Sequence, residues 1–375
     1  MPLKINPDRN LLNTLLLNSV HGKYPRGIDS WVRATEAALR ALTNREVSLI
    51  ASLGLPSWEL PAYLAGAFGM KVILVVPGPE MTPGGPQYEM LLEDFNLDRE
   101  KTRMAFTGAG PEKDLMVRRD RLVFELAEIL YPISVRPGGR LAQLLEEYGG
   151  GRVQIRDDWQ IKWQRGGWHP GYELGARALN PALRQIDSGW LFHWTRSNPG
   201  RWADEPPWQF YKALLAEPET YVRHARSTLA RIVSHRCLLG SSWNMPGGQA
   251  AVSFTALSPA ESVGLMRWRR RYTRYSFEPY GLAFRCKSLT KLGAKPVEYY
   301  QPGRKPAKRR ETLFYQSMGR VGNWKAEKEW RLPGNLNLER IPESDMLIIV
   351  PDREEKTELE QQLKVPWQIF NLFEK

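Results

Sequence analysis

Three short segments hold the side chains best suited to covalent chemistry: His193-Trp194-Thr195, Ser253-Phe254-Thr255 and Glu327-Lys328-Glu329-Trp330-Arg331. When an N-glycosidic bond breaks, oxocarbenium character develops, and a carboxylate both stabilises it and polarises the incoming nucleophile. Glu329 is the first candidate for that role and Glu327 the second. His193 and Thr195 are two residues apart on a predicted strand, so period two aims both at one ligand. The competing structural reading makes His193 a core histidine bonded to backbone, and residues 327–331 an alternating charged strand in water.

Between these segments, Arg267-Trp268-Arg269-Arg270-Arg271-Tyr272-Thr273-Arg274-Tyr275 interleaves five arginines with three rings. Guanidinium groups pair with phosphates while rings stack on unpaired bases, so Arg267, Arg269, Arg270, Arg271 and Arg274 are candidate nucleic-acid contacts. A second basic cluster adds Lys308, Arg309 and Arg310. The alternative is a solvated charged face.

The composition sets the frame for this chemistry. The chain has 375 residues, 42% hydrophobic and 25% charged, which is globular and long enough for two cores. A net charge of +12 favours polyanionic partners, DNA first. No apolar run approaches the roughly 20 residues of a membrane span, and the N-terminus lacks a signal-peptide layout. A cytoplasmic protein without a membrane partner is expected. Cys237 and Cys286 form no CxxC pair and have no histidine cluster, so neither a disulfide framework nor a metal site is expected.

In the first half, Leu15-Leu16-Leu17 leads through a glycine-containing loop into a helix from about Ser30 to Leu42. Trp31, Ala34, Ala38 and Leu42 give that helix its core face. Val47 to Leu53, Met70 to Val76, Arg103 to Thr107 and Leu130 to Val135 read as strands, and Val117 to Ala127 as a helix. Strands apolar on both faces imply a parallel sheet covered on both sides, with ligands at its carboxyl edge. Ser19, Gly22 and Lys23 in the first loop face a helix N-terminus, where backbone N–H groups favour an anion.

The order Asn18-Ser19, Gly22-Lys23, Pro25, Gly27, Trp31, Thr35, then Ser52-Leu53-Gly54, Arg118-Arg119-Asp120-Arg121 and Arg136-Pro137-Gly138-Gly139 resembles the DNA-processing-protein and lonely-guy (SLOG) nucleotide-binding superfamily. The resemblance covers roughly residues 10 to 150. It implies a Rossmann-like sheet whose edge binds a nucleotide or single-stranded DNA, with Ser19, Gly22, Lys23, Gly54, Arg119, Arg121, Gly138 and Gly139 lining the site. The glutamate that phosphoribohydrolase members carry in a glycine-rich context is missing, so binding without chemistry is implied.

The later segments, over roughly residues 188 to 350, are similar to the ADP-ribosyltransferase-like fold. The resemblance implies NAD as cofactor and a catalytic set of His193, Thr195, Ser253, Thr255, Tyr280, Glu327 and Glu329. The second strand departs from the pattern, reading Ser-Phe-Thr in place of Ser-Thr-Ser. The stretch 275–300 together with 324–331 also resembles a large bacterial family often met in phage-defence settings, which implies partner proteins of a defence operon.

The expected architecture is therefore α/β: a Rossmann-like domain over 1–150, a linker or docking segment over 151–187 and an α+β domain over 188–375. Three functions compete. The first is a nucleic-acid-directed transferase with a nucleotide- or DNA-sensing first domain; the second is NAD-independent base modification in a restriction-modification system. The third is a non-catalytic nucleotide- or single-strand-binding protein.

Overall fold

Val47–Ser52 is buried at every position, the burial a strand needs when helices cover both faces of its sheet. A computed structural model describes residues 11–374 except 152, 167, 173, 175, 176, 187, 244, 302–308 and 319–323; the side chains of 309–311 and 324 also lie outside the description. Two compact units result, residues 1–169 with 199–222, and residues 170–198 with 223–375.

The first unit contains β1 (Leu12–Asn18), α1 (Ser30–Leu42), β2 (Val47–Ser52), α2 (Pro56–Ala67), β3 (Lys71–Val76), α3 (Pro86–Phe95), β4 (Thr102–Phe106), α4 (Glu112–Leu126), β5 (Ile129–Ser134), α5 (Arg140–Tyr148) and β6 (Gln154–Ile155). Its six strands lie in the order β4-β3-β2-β1-β5-β6 and every pair is parallel. This is a Rossmann-like sheet. Alternate residues divide it between two cores: Leu16, Leu49 and Leu74 pack on one face with α1, α2 and α3, while Leu15, Leu17, Ile50 and Val75 pack on the other with α4 and α5.

Two departures from the expected boundaries have physical causes. Residues 153–169 join the first unit, because β6 extends the sheet and Trp159 packs on Tyr131 at 4.7 Å. α6 (Pro207–Ala216) also belongs to the first unit, and its Phe210, Tyr211 and Leu214 enter the first core. Gly27 is fitted to this packing, since a Cβ there would stand 2.3 Å from the Leu214 carbonyl oxygen.

In the second unit follow β7 (Trp190–Trp194), α7 (Ala225–Ser234), β8 (Cys237–Leu238), β9 (Ala251–Thr255), α8 (Pro259–Val263), β10 (Trp268–Arg269), β11 (Arg274–Tyr275), β12 (Gly281–Arg285), α9 (Cys286–Lys291), β13 (Lys295–Pro296), β14 (Glu298–Tyr300), β15 (Tyr315–Ser317), β16 (Glu329–Pro333), β17 (Leu336–Asn337), β18 (Met346–Val350), α10 (Arg353–Leu363) and β19 (Gln368–Asn371). Seven strands form a mixed sheet, β13-β16-β9-β7-β12-β18-β19, antiparallel except for β18 with β19. The α+β expectation for this half holds. α7 begins only at Ala225, because residues up to Val222 pack with the first unit and Val222 enters its core. Among the described residues no helix is long and apolar enough to cross a membrane, and no group of three or more histidine, cysteine or acidic residues is placed to hold a metal ion.

Candidate functional site: an acidic cavity rimmed by arginines

Register on three neighbouring strands decides which side chains share a face. Glu329 pairs with Thr255, Arg331 with Ser253, and Phe192 with Thr255. Directly paired residues lie on one side of a sheet, so Ser253, Thr255, Glu329 and Arg331 stand together. A cavity of about 400 Å³ opens beside them and is bordered by all four, by Glu327 and by His193. Arg196, Arg269 and Arg274 contribute cationic wall, and Trp243, Tyr272 and Phe277 contribute rings. Its size is that of a small-molecule site.

The two carboxylates have different partners. Glu329 is held at both oxygens: Arg331 Nε donates to Oε1 at 2.8 Å, Arg331 Nη2 to Oε2 at 3.0 Å, and Ser253 Oγ to Oε1 at 3.0 Å. Arg331 is itself buried, and its other donors go to the Leu313 carbonyl at 2.7 Å and Gln316 Oε1 at 2.8 Å. Glu329 is thus held in one orientation at both oxygens. Glu327 lies in the turn before β16 and accepts from Arg269 Nη2 at 3.2 Å. Burial raises its carboxyl above the ordinary range; Arg269 opposes the rise and Glu329 adds to it. A carboxyl so shifted suits proton transfer better than a saturated one.

Of the two residues expected to share one pocket wall, His193 borders the cavity and Thr195 does not. His193 is one residue out of phase with Ser253 and Glu329, and its ring stands against Phe254, 6.0 Å between centroids. β7 and β9 keep a single ladder pair, and His193 Nδ1 meets the Ser253 carbonyl at 2.9 Å, bridging the strands beside it. That partner places the proton on Nδ1. Burial lowers the imidazole pKa to about 4, so the ring is neutral at physiological pH. Thr195 turns away, its Oγ1 donating to the Tyr280 carbonyl at 2.9 Å, and Tyr280 donates its hydroxyl to Glu355 at 2.9 Å. Neither borders the cavity. Thr255 does, but its hydroxyl is engaged by the Glu327 carbonyl at 2.5 Å and by Leu257 N–H at 3.1 Å.

The arginine-rich segment, expected as a separate patch, supplies part of this wall. β10 and β11 form a hairpin in which Arg269 lies opposite Arg274 and Trp268 opposite Tyr275. One face therefore turns two arginines to the cavity, while the other packs Trp268 on Tyr275, which meets Tyr172 at 5.3 Å. Arg267, Arg270 and Arg271 are exposed. Lys308 lies outside the described residues, as do the side chains of Arg309 and Arg310. Arg196 and Trp243 carried no sequence signal of their own. Arg196 is fixed by its neighbour Ser197, whose N–H and Oγ donate to buried Glu278 at 2.7 and 2.9 Å.

In the first unit the strand order reverses between β1 and β5, the place where open α/β sheets bind ligands. Ser19 stands there: its N–H donates to the Ser134 carbonyl at 2.9 Å and its Oγ accepts from Arg136 N–H at 2.9 Å. Gly22 and Lys23 follow in the same loop. Gly138 has φ +65° and Gly139 begins α5 without a side-chain cap, leaving first-turn N–H groups for an anion. Nearby, buried Asn18 Oδ1, Ser134 Oγ and Trp31 Nε1 have no hydrogen-bond partner among the described residues.

Three predicted phosphate contacts in this unit are engaged elsewhere. Arg119 is buried, its Nε and Nη2 on Asp120 Oδ1 at 3.0 and 2.7 Å, its Nη1 on the Leu53 carbonyl at 3.0 Å, and its plane over Trp58. Arg121 pairs with Glu147 at 3.2 Å. Both lie in mid-helix because α4 begins five residues earlier than expected, behind Pro111 with Glu112 and Asp114 in its first turn. Gly54 has φ +93° and its N–H donates to Glu59 at 2.9 Å.

No protein-family model matches the chain, and no curated protein matches it. Two solved structures overlap part of it. One is the X-ray structure of DNA processing protein A from Streptococcus pneumoniae, at 14% identity over 39% of this chain and 49% of that one, with a TM-score of 0.29. The other is DNA processing protein A from Helicobacter pylori, described for its single-stranded DNA binding mode, at 14% identity over 38% of this chain and 63% of that one, again with a TM-score of 0.29. The chain thus spans about half to under two thirds of their lengths, and neither overlap carries a functional argument.

Proposed function

We propose that the second unit binds a nucleotide-class ligand and breaks or transfers at its N-glycosidic bond. The observation that carries this reading is the convergence of Glu327 and Glu329 with four arginines and exposed ring surface on one cavity. Arginines suit phosphates, flat rings suit base faces, and carboxylates suit a positively charged anomeric carbon. In the proposed step the C1′–N bond breaks and its electron pair leaves on the nitrogen base. The attacking O–H or N–H group bonds to C1′ and passes its proton to Glu327. Glu329, clamped by Arg331, stabilises the developing positive charge. NAD as donor fits this set in charge and ring content, and its leaving group is neutral nicotinamide.

The neighbourhood of Ser253 and Glu329 supports the ADP-ribosyltransferase-like resemblance, as does His193 at the cavity border; Thr195, turned away from the cavity, departs from it. The full chain, incubated with NAD in the presence and absence of DNA, is expected to release nicotinamide and to yield a product heavier by one ADP-ribosyl group. Glu329→Gln should slow this by about 10²-fold or more. Unchanged NAD and unshifted DNA would remove the transfer reading, and a DNA mass change without NAD would replace it with base modification. A DNA acceptor would place the activity among the DNA-modifying reactions that defence systems use.

We infer also that the first unit holds a phosphate-bearing ligand between β1 and β5, supported by the unpartnered Asn18 Oδ1 and Ser134 Oγ at the strand-order reversal. Burying a hydroxyl without a partner costs about 1–3 kcal/mol, so a ligand that bonds it recovers that cost. Adenosine monophosphate is expected to raise the melting temperature of the full chain. Ser134→Ala should melt higher without ligand and respond less to it; equal responses of the two proteins would refute the site.

A further inference from the structure

We propose that the β10–β11 hairpin and Trp243 form the docking platform for a single-stranded polynucleotide, one unpaired base of which is the acceptor presented to the cavity. The acceptor role rests on the glycosyl-transfer reading above, whereas the docking stands without it. Three independent features point to this occupant.

The first is charge. Arg267, just before the β10–β11 hairpin, and Arg270 and Arg271 within it are exposed, and no carboxylate pairs with them among the described residues. Two of the three, Arg270 and Arg271, sit in the turn between the strands. A row of such cations attracts a polyanion and releases its condensed counterions.

The second is ring surface. Trp243 is 56% exposed, the highest value among the exposed large apolar side chains of the described residues, and it borders the cavity. Arg274 lies over its ring at 4.3 Å, and Arg271 and Arg274 lie within 6 Å of the Tyr272 ring centre, at 5.9 and 5.7 Å. Alternating guanidinium planes and rings offer stacking surface to unpaired bases, whose faces a duplex already covers.

The third is continuity. Arg269 and Arg274 stand opposite each other on the hairpin and both border the cavity, where Arg269 also reaches Glu327. The backbone of a strand lying along the exposed arginines would therefore bring its bases to the carboxylates. The shared chemistry, phosphates flanking unpaired bases, belongs to single-stranded DNA and single-stranded RNA alike.

Labelled oligonucleotides of equal length, as single-stranded DNA, single-stranded RNA and duplex DNA, can be titrated with the full chain and followed by fluorescence anisotropy. At least one single strand should bind about tenfold more tightly than the duplex, and the two single-strand arms identify which nucleic acid is preferred. Affinity should fall about tenfold between roughly 50 and 200 mM salt. Trp243→Ala should weaken binding about tenfold, and Arg270→Gln with Arg271→Gln should weaken it and flatten the salt dependence. All three side chains are exposed, and an unchanged melting temperature certifies that the variants fold. Duplex binding as tight as single-strand binding, or variants that bind like the parent, would overturn the platform. Binding is read without turnover: strand binding without product would overturn only the acceptor role and the glycosyl reading, and turnover with unchanged binding by the variants would overturn only the platform.

Discussion

Replacing Arg331 with methionine is expected to lower the unfolding free energy by about 3–5 kcal/mol, because removing one partner of a buried pair strands the other charge. The guanidinium is 3% exposed and bonds both Glu329 oxygens, the Leu313 carbonyl and Gln316. Its loss leaves a carboxylate and two neutral acceptors short of donors at once. Urea unfolding of the two proteins measures the difference. Adding Glu329→Gln to Arg331→Met should recover part of the loss, since the stranded charge is then gone. A loss below about 1 kcal/mol would mean that the pair behaves as an exposed one.

Glu327→Gln is expected to reduce turnover by about 10²–10⁴-fold, the usual contribution of a positioned proton-transfer group. The carboxyl must be ionised to accept the proton, and burial raises its pKa above the ordinary 4.5. Parent kcat/KM should therefore rise with pH through that raised value, and the residual activity of the variant should lack this limb. Stability moves the other way. Between the ordinary and the raised pKa the folded state binds the proton more tightly, so stability falls as pH rises through that window. Glutamine removes this slope as well. A variant retaining both the rate and the pH profile would exclude Glu327 from proton transfer.

What could be read from the sequence follows from the range of the forces involved. Periodicity marked α1 to the residue, because its burial pattern is set within one element. It misplaced the start of α4, where Pro111 and two first-turn acids decide the end and the apolar spacing does not. That shift of less than two turns moved Arg119 from a supposed phosphate contact to a buried clamp on Asp120 and Leu53.

At the candidate site, the segments bearing Ser253, Glu327 and Glu329 were recognisable by residue type, and cross-strand register brought them together. Period two alone assigned Thr195 to the same wall as His193, yet only His193 borders the cavity. How each of the two glutamates is held could not be read from their spacing. It depends on Arg331 being two residues beyond Glu329 on the same strand face, and on Arg269 arriving from a hairpin nearly sixty residues away. Trp243 sits in a loop without periodicity, so only its placement beside the cavity distinguishes it.

The return of residues 199–222 to the first unit after the second has begun has a practical consequence for dissecting the chain. No single cut separates the halves. A fragment beginning near residue 188 would carry Phe210, Tyr211 and Leu214, each about 1% exposed in the intact chain, without the strands and helices they cover. One ending at the glycines 149–151 would lose α6 and, with Trp159, an aromatic cover of Tyr131. Insolubility of either truncation would report a severed core and would carry no information about catalysis.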